Sequence, residues 1–205
     1  MSKPQTTLTP FQTHLLFFST SAPRPRLTLT SALLASLNLG LNLPLAILLS
    51  LSLRILYAPY PFFWSRIYID EIPPSLHRTQ LSSAVLASGK TGWTCSELLG
   101  LLEQSGEEGG KGVGGAKGWI NHKINQGHII GFWTMAANSR TNVMRREDVE
   151  RFQQGGWETA VAERRRGRGD VLPVWRGGPG WVGGHAWVVK RGFGVQVYEC
   201  GRKVE

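Results

Sequence analysis

The chain has 205 residues, with 23 Lys and Arg against 14 Asp and Glu, and a net charge of +9 at neutral pH. An apolar content of 41% is too high for a fully disordered chain, and the irregular pattern excludes collagen and repeat arrays. The two cysteines exclude a disulfide framework and a four-cysteine zinc site, and the length fits one domain with or without appendages.

The charge is unevenly spread along the chain. Residues 1–69 contain five basic residues and no acid, and the first carboxylate is Asp70. A metal site built from carboxylates therefore cannot lie wholly in this segment. The excess positive charge favours nucleic acid or an anionic membrane surface as a partner. The basic run at 164–168 stands among glycines and has no accompanying nucleic-acid-binding motif, so we expect no nucleic-acid partner.

A short helix is predicted near the N-terminus. Thr9 is a suitable N-cap, and Pro10 suits the first helical position. Three apolar residues then recur at helical spacing: Phe11, Leu15 and Phe18. His14 lies beside this apolar face, and two prolines within residues 19–25 end the helix.

The next feature is the uncharged stretch Leu27–Leu53, whose most apolar part is Leu43–Leu53. Asn38, Asn42 and Pro44 interrupt it. Arginines, prolines and aromatic residues close it, namely Arg54, Tyr57, Pro59, Tyr60, Pro61 and Trp64. Such a border is typical of an anchor at a membrane surface. A buried helix of a soluble core and a membrane-spanning helix remain the alternatives.

The second half of the chain predicts short elements that are mostly helical. Residues 67–72 alternate as an extended segment does, and Thr94 begins a capping box. The predicted helices are 95–103, 119–125, 128–137 and 145–154, the last of them ended by Gly155-Gly156. The tail from about Trp157 is rich in Arg, Gly and Trp, and His185–Lys190 with Phe193–Glu199 predicts a hairpin.

Four segments follow from these patterns. Residues 1–30 hold the N-terminal helix and its loop, and residues 31–66 hold the apolar anchor with its proline-rich border. Residues 67–155 form a C-terminal helical region. Residues 156–205 form the tail, which we expect to be poorly ordered and outside the functional core.

Several short motifs also follow one another in a distinctive order. They are the helix ending in His14-Leu15-Leu16-Phe17-Phe18, then Leu39-Gly40-Leu41-Asn42, the pair Pro59 and Pro61, Ile67-Tyr68-Ile69-Asp70-Glu71-Ile72, and His77. Their order and spacing resemble the caleosin family, the lipid-droplet proteins also called plant-seed and fungal peroxygenases. The resemblance covers roughly residues 8–155.

The resemblance implies a mainly α fold in which EF-hand-like helices flank a central membrane or lipid-droplet anchor. It implies an oxidoreductase with monooxygenase activity, a haem-dependent peroxygenase. Such an enzyme transfers oxygen from fatty-acid hydroperoxides to unsaturated lipids at the lipid-droplet or endoplasmic-reticulum membrane. The family's two haem-iron ligands correspond here to His14 and His77. His122, His128 and His185 have no counterpart and are left out of the predicted site.

The chain departs from the family at the calcium loop. An EF-hand loop needs carboxylates at its early positions and a bidentate Glu at its end. The segment after Phe18 has no acid and contains Arg24 and Arg26, so we expect a degenerate EF-hand that binds no calcium. Without its ion, the loop no longer organises the surroundings of His14. A non-catalytic structural protein of the lipid-droplet or membrane surface is therefore the alternative function.

Overall fold

A computed structural model describes residues 8–21, 23–59, 64–73, 81, 89–108 and 116–199, except for the side chains of 104–121. Within these ranges the protein is mainly helical, with eight α-helices, which confirms the predicted class. The chain divides into two compact units. The first unit contains residues 1–77 and 158–205, and the second unit contains residues 78–157.

The first unit begins with α1 (Pro10–Leu16), β1 (Arg26–Leu27), α2 (Leu29–Asn38) and α3 (Leu43–Tyr57). It continues with β2 (Ile67–Tyr68), which pairs antiparallel with β1 so that Leu27 lies opposite Ile67. α1 begins as predicted, because the Thr9 side chain accepts a hydrogen bond from the backbone N–H of Gln12 and Pro10 occupies the first turn. Side chains from all these elements are buried, among them Leu15, Leu27, Leu37 and Ile67.

The uncharged stretch of the sequence folds as a hairpin of two helices, α2 and α3. The turn between them contains Gly40 at a φ of +83°, a conformation that favours glycine. Asn42 then caps α3, since its Oδ1 accepts a hydrogen bond from the Leu45 N–H at 3.0 Å, and Pro44 lies in the first turn. The polar and proline residues that interrupt the sequence are therefore the residues that turn the chain.

Neither helix of this hairpin meets the requirements of a membrane span. α3 is 15 residues long and α2 is 10 residues long. Within the described ranges, no helix combines the length and the apolar character needed to cross a membrane.

The second unit contains β3 (Gly92–Trp93), α4 (Cys95–Glu108), α5 (Ala116–Ala136), β4 (Met144–Arg145) and α6 (Arg146–Gln154). β3 and β4 pair antiparallel, with Trp93 opposite Met144. Phe132 stacks on Phe152 at a ring separation of 4.2 Å and meets the edge of Trp157 at 5.0 Å. α6 ends at Gly155, in the left-handed conformation with φ +84°, as the sequence predicts.

The C-terminal part of the first unit differs from the predicted tail, because it is helical. Its helices are α7 (Trp157–Arg166) and α8 (Val182–Phe193), so the predicted hairpin of 185–199 is wrong. Residues 158–199 belong to the first unit and bury Arg165 and Tyr198 completely, so this part is neither poorly ordered nor peripheral. The alternation of apolar residues looked extended, but Ala186 and Val189, three residues apart, are the buried positions of a helix.

Two other boundaries also differ from prediction. A single helix, α5, covers the two helices predicted at 119–125 and 128–137, because Gly127 costs only about 1 kcal/mol inside a helix. α4 continues to Glu108, beyond its predicted end at Glu103. The four segments drawn from the sequence therefore do not coincide with the two units of the structure.

Candidate functional site

His14, the first predicted haem ligand, lies in the last turn of α1 within an aromatic cluster. The ring centroids of Phe11 and Phe18 lie 6.5 Å and 5.7 Å from that of His14. Phe11 and His14 lie three residues apart on α1, and Phe18 lies in the turn that follows the helix, four residues after His14. The imidazole is therefore held between aromatic side chains, as the sequence predicted.

His14 forms a hydrogen bond with a residue that lies 144 positions later in the chain. Nδ1 of His14 forms a hydrogen bond and ion pair with Oε1 of Glu158, in the first turn of α7. The Glu158 side chain is only 1% exposed, whereas that of His14 is 28% exposed. A buried carboxylate is unfavourable without a partner, so the pair stabilises both side chains and connects α1 with α7.

This pair has a definite chemical consequence. When Glu158 is ionised, Nδ1 of His14 is the protonated nitrogen that donates to it, and the lone pair of the neutral ring lies on Nε2. A carboxylate on the far nitrogen is the arrangement that orients histidine ligands of metals and raises their basicity. The sequence did not predict Glu158 as a site residue, because its only signal there is an acid beside Trp157 at the start of a helix.

His77, the second predicted ligand, lies outside the described residues. The expected meeting of His14 and His77 at one iron therefore remains a prediction. Among the described residues, no group of three or more His, Cys, Asp or Glu side chains is placed to hold a metal ion.

The loop that follows α1 carries an ion-pair cluster of its own. The guanidinium of Arg24 donates to both Asp70 oxygens at 3.0–3.2 Å and to Glu71 at 2.7 Å. These hydrogen bonds raise the pKa of Arg24 above its ordinary value. The two carboxylates that follow β2 thus face an arginine of the loop.

The outer face of α3 is more apolar than its buried face. Its exposed aliphatic residues are Leu45, Ile47, Leu48, Ile55 and Leu56, of which Leu48 is 58% exposed and Ile55 is 66% exposed. The buried positions are Ala46, Ser50, Leu53 and Arg54. Ser50 donates to the Ala46 carbonyl, and Arg54 donates to the carbonyls of Leu27 and Ser65. A helix of a water-soluble surface has the opposite polarity, so this face is an apolar contact surface.

Exposed tryptophans lie near the start of the same helix. Trp181 is 78% exposed and Trp187 is 68% exposed, and both line a cavity of about 620 Å³. The cavity is also lined by Leu43 and Pro44 of the first turn of α3 and by Val188 of α8. The first turn of α3 therefore lines one cavity together with Trp181, which precedes α8, and with Trp187 of α8.

A buried polar network fastens the α2–α3 turn to the C-terminal segment. The Tyr198 hydroxyl donates to the Gly40 carbonyl at 2.8 Å and accepts from the Leu172 N–H at 3.1 Å. Arg165 donates to the Leu39 carbonyl and to the Asp170 carboxylate, both at 3.3 Å. Burial raises the pKa of the Tyr198 hydroxyl, which therefore stays protonated at neutral pH. The network fixes the position of the hairpin in the first unit.

The histidines left out of the predicted site are placed in two different surroundings. His185 lines the cavity beside Trp181, and its buried Nε2 has no hydrogen-bond partner among the described residues. Burial lowers the pKa of His185 and also that of His128, which lies in the second unit. Within the described part of the chain, neither histidine belongs to a group of three or more side chains that could hold a metal ion.

Comparison with known proteins identifies no relative of this chain. No protein-family model matches the chain, and no curated protein or solved structure matches it. The resemblance to caleosins remains a prediction carried by the motifs quoted above. The features from which function can be argued are the His14–Glu158 pair, the apolar face of α3 and the exposed tryptophans.

Proposed function

We propose that this protein binds the surface of lipid droplets or of the endoplasmic-reticulum membrane through the apolar outer face of α3. The observation that carries the proposal is the polarity of this helix: Ser50 and Arg54 are buried, whereas five leucines and isoleucines are exposed. Burying a Leu or Ile side chain contributes about 1.5–3 kcal/mol. The five exposed aliphatic residues of α3 would thus supply enough free energy for a stable interfacial contact.

The charge distribution of the α2–α3 hairpin also supports lipid contact by this face. α2 and α3 contain no acid, and their single charged residue, Arg54, is buried against backbone carbonyls. A carboxylate on this face would resist transfer to the interface of an anionic membrane. Its absence leaves the whole outer face compatible with lipid.

The variant Leu48→Glu/Ile55→Glu tests this contact. We expect the double variant to lose binding to phospholipid vesicles and to droplet emulsions in flotation assays, because two carboxylates would have to enter the apolar phase. Both side chains are exposed, so the thermal midpoint of unfolding should stay near that of the wild type.

A matched control is available in the second unit. Ile124 and Ile130 are exposed on α5 to a similar extent, so Ile124→Glu/Ile130→Glu adds the same charge to another helix. The control should bind as the wild type does. Retained binding of Leu48→Glu/Ile55→Glu would show that α3 is not the lipid contact.

The proposal also includes a degenerate EF-hand-like arrangement at the start of the chain. This part of the proposal rests on the family resemblance, and the elements present there are α1, a loop, β1 and α2, with β1 paired to a second short strand. The loop has no carboxylate to offer a cation, and its Arg24 is paired with Asp70 and Glu71. We therefore expect no specific calcium binding by this loop.

A haem-dependent peroxygenase is the second candidate function, and the His14–Glu158 pair favours it. The donor chemistry fits an iron ligand, because a carboxylate on Nδ1 makes the other nitrogen of His14 a stronger base. Haem would supply the transfer of oxygen from fatty-acid hydroperoxides to unsaturated lipids. His14 and, by the resemblance, His77 would hold it, while Glu158 orients the imidazole. His14 lines none of the three described cavities.

The visible absorption spectrum of the purified protein tests this second function. We expect a Soret band and oxygen transfer to oleic acid in the wild type, and the loss of both in His14→Ala and in His77→Ala. His128→Ala should retain both. Glu158→Gln should keep the haem but lower the basicity of His14, which shifts the reduction potential of the iron.

Stability must be separated from haem loss in this series. His14→Ala leaves the buried Glu158 without this partner, which is destabilising on its own. The double variant His14→Ala/Glu158→Gln removes that charge, so its lack of haem reports on ligation alone. A wild-type protein without a Soret band would rule out the enzyme and leave the lipid-binding function.

A further inference from the structure

The C-terminal helix α8 presents a surface on which tryptophans and a basic residue lie together. Trp187, Val188 and Arg191 occupy neighbouring positions on its exposed side. The ring of Trp181 lies across Gly184 on the same helix, since a Cβ at Gly184 would lie 2.2 Å from Cε3 of Trp181. Glycine at this position therefore allows the indole to lie over the first turn, where it is largely exposed. We call Trp181, Trp187, Val188 and Arg191 the tryptophan surface.

The electrostatic surroundings of the tryptophan surface are basic. Arg176, Lys190 and Arg191 lie between Asp170 and Glu199, an interval that contains no carboxylate, and Lys190 forms an ion pair with Glu199. Arg176 is buried, which lowers its pKa to about 10, so it remains charged at neutral pH. The first unit as a whole contains 14 Lys and Arg and 7 Asp and Glu, a net charge of +7 out of the +9 of the chain. A negatively charged partner is therefore favoured here.

Indole rings beside basic side chains fit one such partner especially well. Tryptophan concentrates at the interface between lipid and water, where its ring is apolar and its N–H is hydrated. Lys and Arg next to such rings contact anionic headgroups. The shared cavity places Trp181 and Trp187 beside Leu43 and Pro44, at the start of the helix whose outer face we assign to lipid.

We propose that the tryptophan surface is a second lipid-contacting element, selective for the anionic headgroups of phospholipids. It rests on the proposed function for the presence of a lipid surface and adds a headgroup preference that the uncharged face of α3 cannot supply. In this arrangement α3 enters the apolar layer, while α8 lies at the headgroup level. The indoles of Trp181 and Trp187 bind both neutral and anionic surfaces, and Arg191 distinguishes between them.

Flotation of the full-length protein with two kinds of vesicle tests the proposal. One kind is phosphatidylcholine alone, and the other is phosphatidylcholine mixed with phosphatidylserine. We expect tighter binding to the anionic vesicles, with a blue shift of the tryptophan fluorescence. Arg191→Glu changes the charge by two units, and each unit contributes about a factor of five to the affinity for an anionic surface. The variant should therefore bind anionic vesicles about 30-fold more weakly and should bind neutral vesicles as the wild type does.

The tryptophans are tested by Trp181→Ala/Trp187→Ala. This variant should bind both kinds of vesicle at least about tenfold more weakly, since both indoles lose their interfacial contact. Arg140→Glu is the matched control for charge, because Arg140 is exposed in the second unit and the change in net charge is the same. It should bind both kinds of vesicle as the wild type does.

The outcomes separate this proposal from the one on which it rests. If Leu48→Glu/Ile55→Glu loses binding while the α8 variants bind as the wild type does, the tryptophan surface does not contact lipid and only α3 does. If Leu48→Glu/Ile55→Glu binds normally while the α8 variants do not, the proposed role of α3 fails and the tryptophan surface is the lipid contact. Equal losses in Arg191→Glu and Arg140→Glu would overturn the headgroup preference.

Discussion

Arg165→Met is expected to lower the free energy of unfolding by about 3 kcal/mol, near the lower end of the cost of breaking a buried ion pair. The Arg165 side chain is completely buried, with Nε 3.3 Å from Asp170 and one terminal nitrogen 3.3 Å from the Leu39 carbonyl. Methionine fills much of the same space but donates no hydrogen bond. The Leu39 carbonyl would then lose a charged donor, and Asp170 would lose a nearby arginine.

Arg164→Met is the matched control for this experiment. Arg164 also approaches Asp170, at 3.5 Å, but its side chain is 22% exposed and its charge is partly hydrated. Its loss should cost at most about 1 kcal/mol, as for exposed pairs. Urea unfolding followed by tryptophan fluorescence and circular dichroism measures both values. Equal costs for the two variants would contradict the role that we assign to the buried network.

A third variant separates the ion pair from the packing. Arg165→Met/Asp170→Asn removes both charges, so neither is left buried without its partner. We expect it to recover part of the stability that Arg165→Met loses. Recovery would show that the weaker pairing of the Asp170 carboxylate, and not the shape of methionine, accounts for that part of the loss.

Local signals in the sequence predicted several helix boundaries. Thr9 with Pro10 begins α1, Thr94 with Glu97 begins α4, and Gly155 ends α6. Each of these signals acts within three or four residues, through a capping hydrogen bond or a left-handed conformation. They can be read from the sequence because the groups that satisfy them lie in the same turn.

The features that matter for the candidate sites depend on longer distances. His14 and Glu158 are 144 residues apart, and no periodicity of either helix indicates that they pair. The sequence also predicted an apolar segment at 43–53 without predicting which side of it is exposed. Leucine and isoleucine occur around most of its circumference, so burial is decided by where Ser50 and Arg54 find their carbonyl partners.

The wrong prediction of a hairpin at 185–199 also arises because contacts distant in sequence decide the structure. The stretch from His185 to Lys190 has apolar residues at alternating and adjacent positions, which fits a strand or a helix equally well over six residues. The burial of Ala186 and Val189, three residues apart, favours the helix over the strand. Because their burial depends on tertiary packing, the tail read alone resembled an isolated and unstable segment.

Gly40→Ala is expected to destabilise the protein by about 3 kcal/mol, the sum of a backbone cost and a lost hydrogen-bond network. The φ of +83° is unfavourable for alanine. In addition, a Cβ at this position would lie 2.1 Å from the Tyr198 hydroxyl oxygen and 2.8 Å from the ring carbon that bears it. Tyr198 must then move, and its hydroxyl loses the Gly40 carbonyl and the Leu172 N–H together.

Gly192→Ala gives a control of opposite sign in the same unit. Gly192 lies in α8 with no neighbouring atom within 4 Å of an added Cβ, so alanine should stabilise the protein by up to about 1 kcal/mol through its helix propensity. The double variant Gly40→Ala/Tyr198→Phe completes a mutant cycle with the two single variants. Removing the hydroxyl removes the closest clash, so the double variant should lose less stability than the sum of the single losses. Strict additivity would mean that Gly40 and Tyr198 do not act together, and the hairpin would then be held in the first unit by Arg165 without the tyrosine.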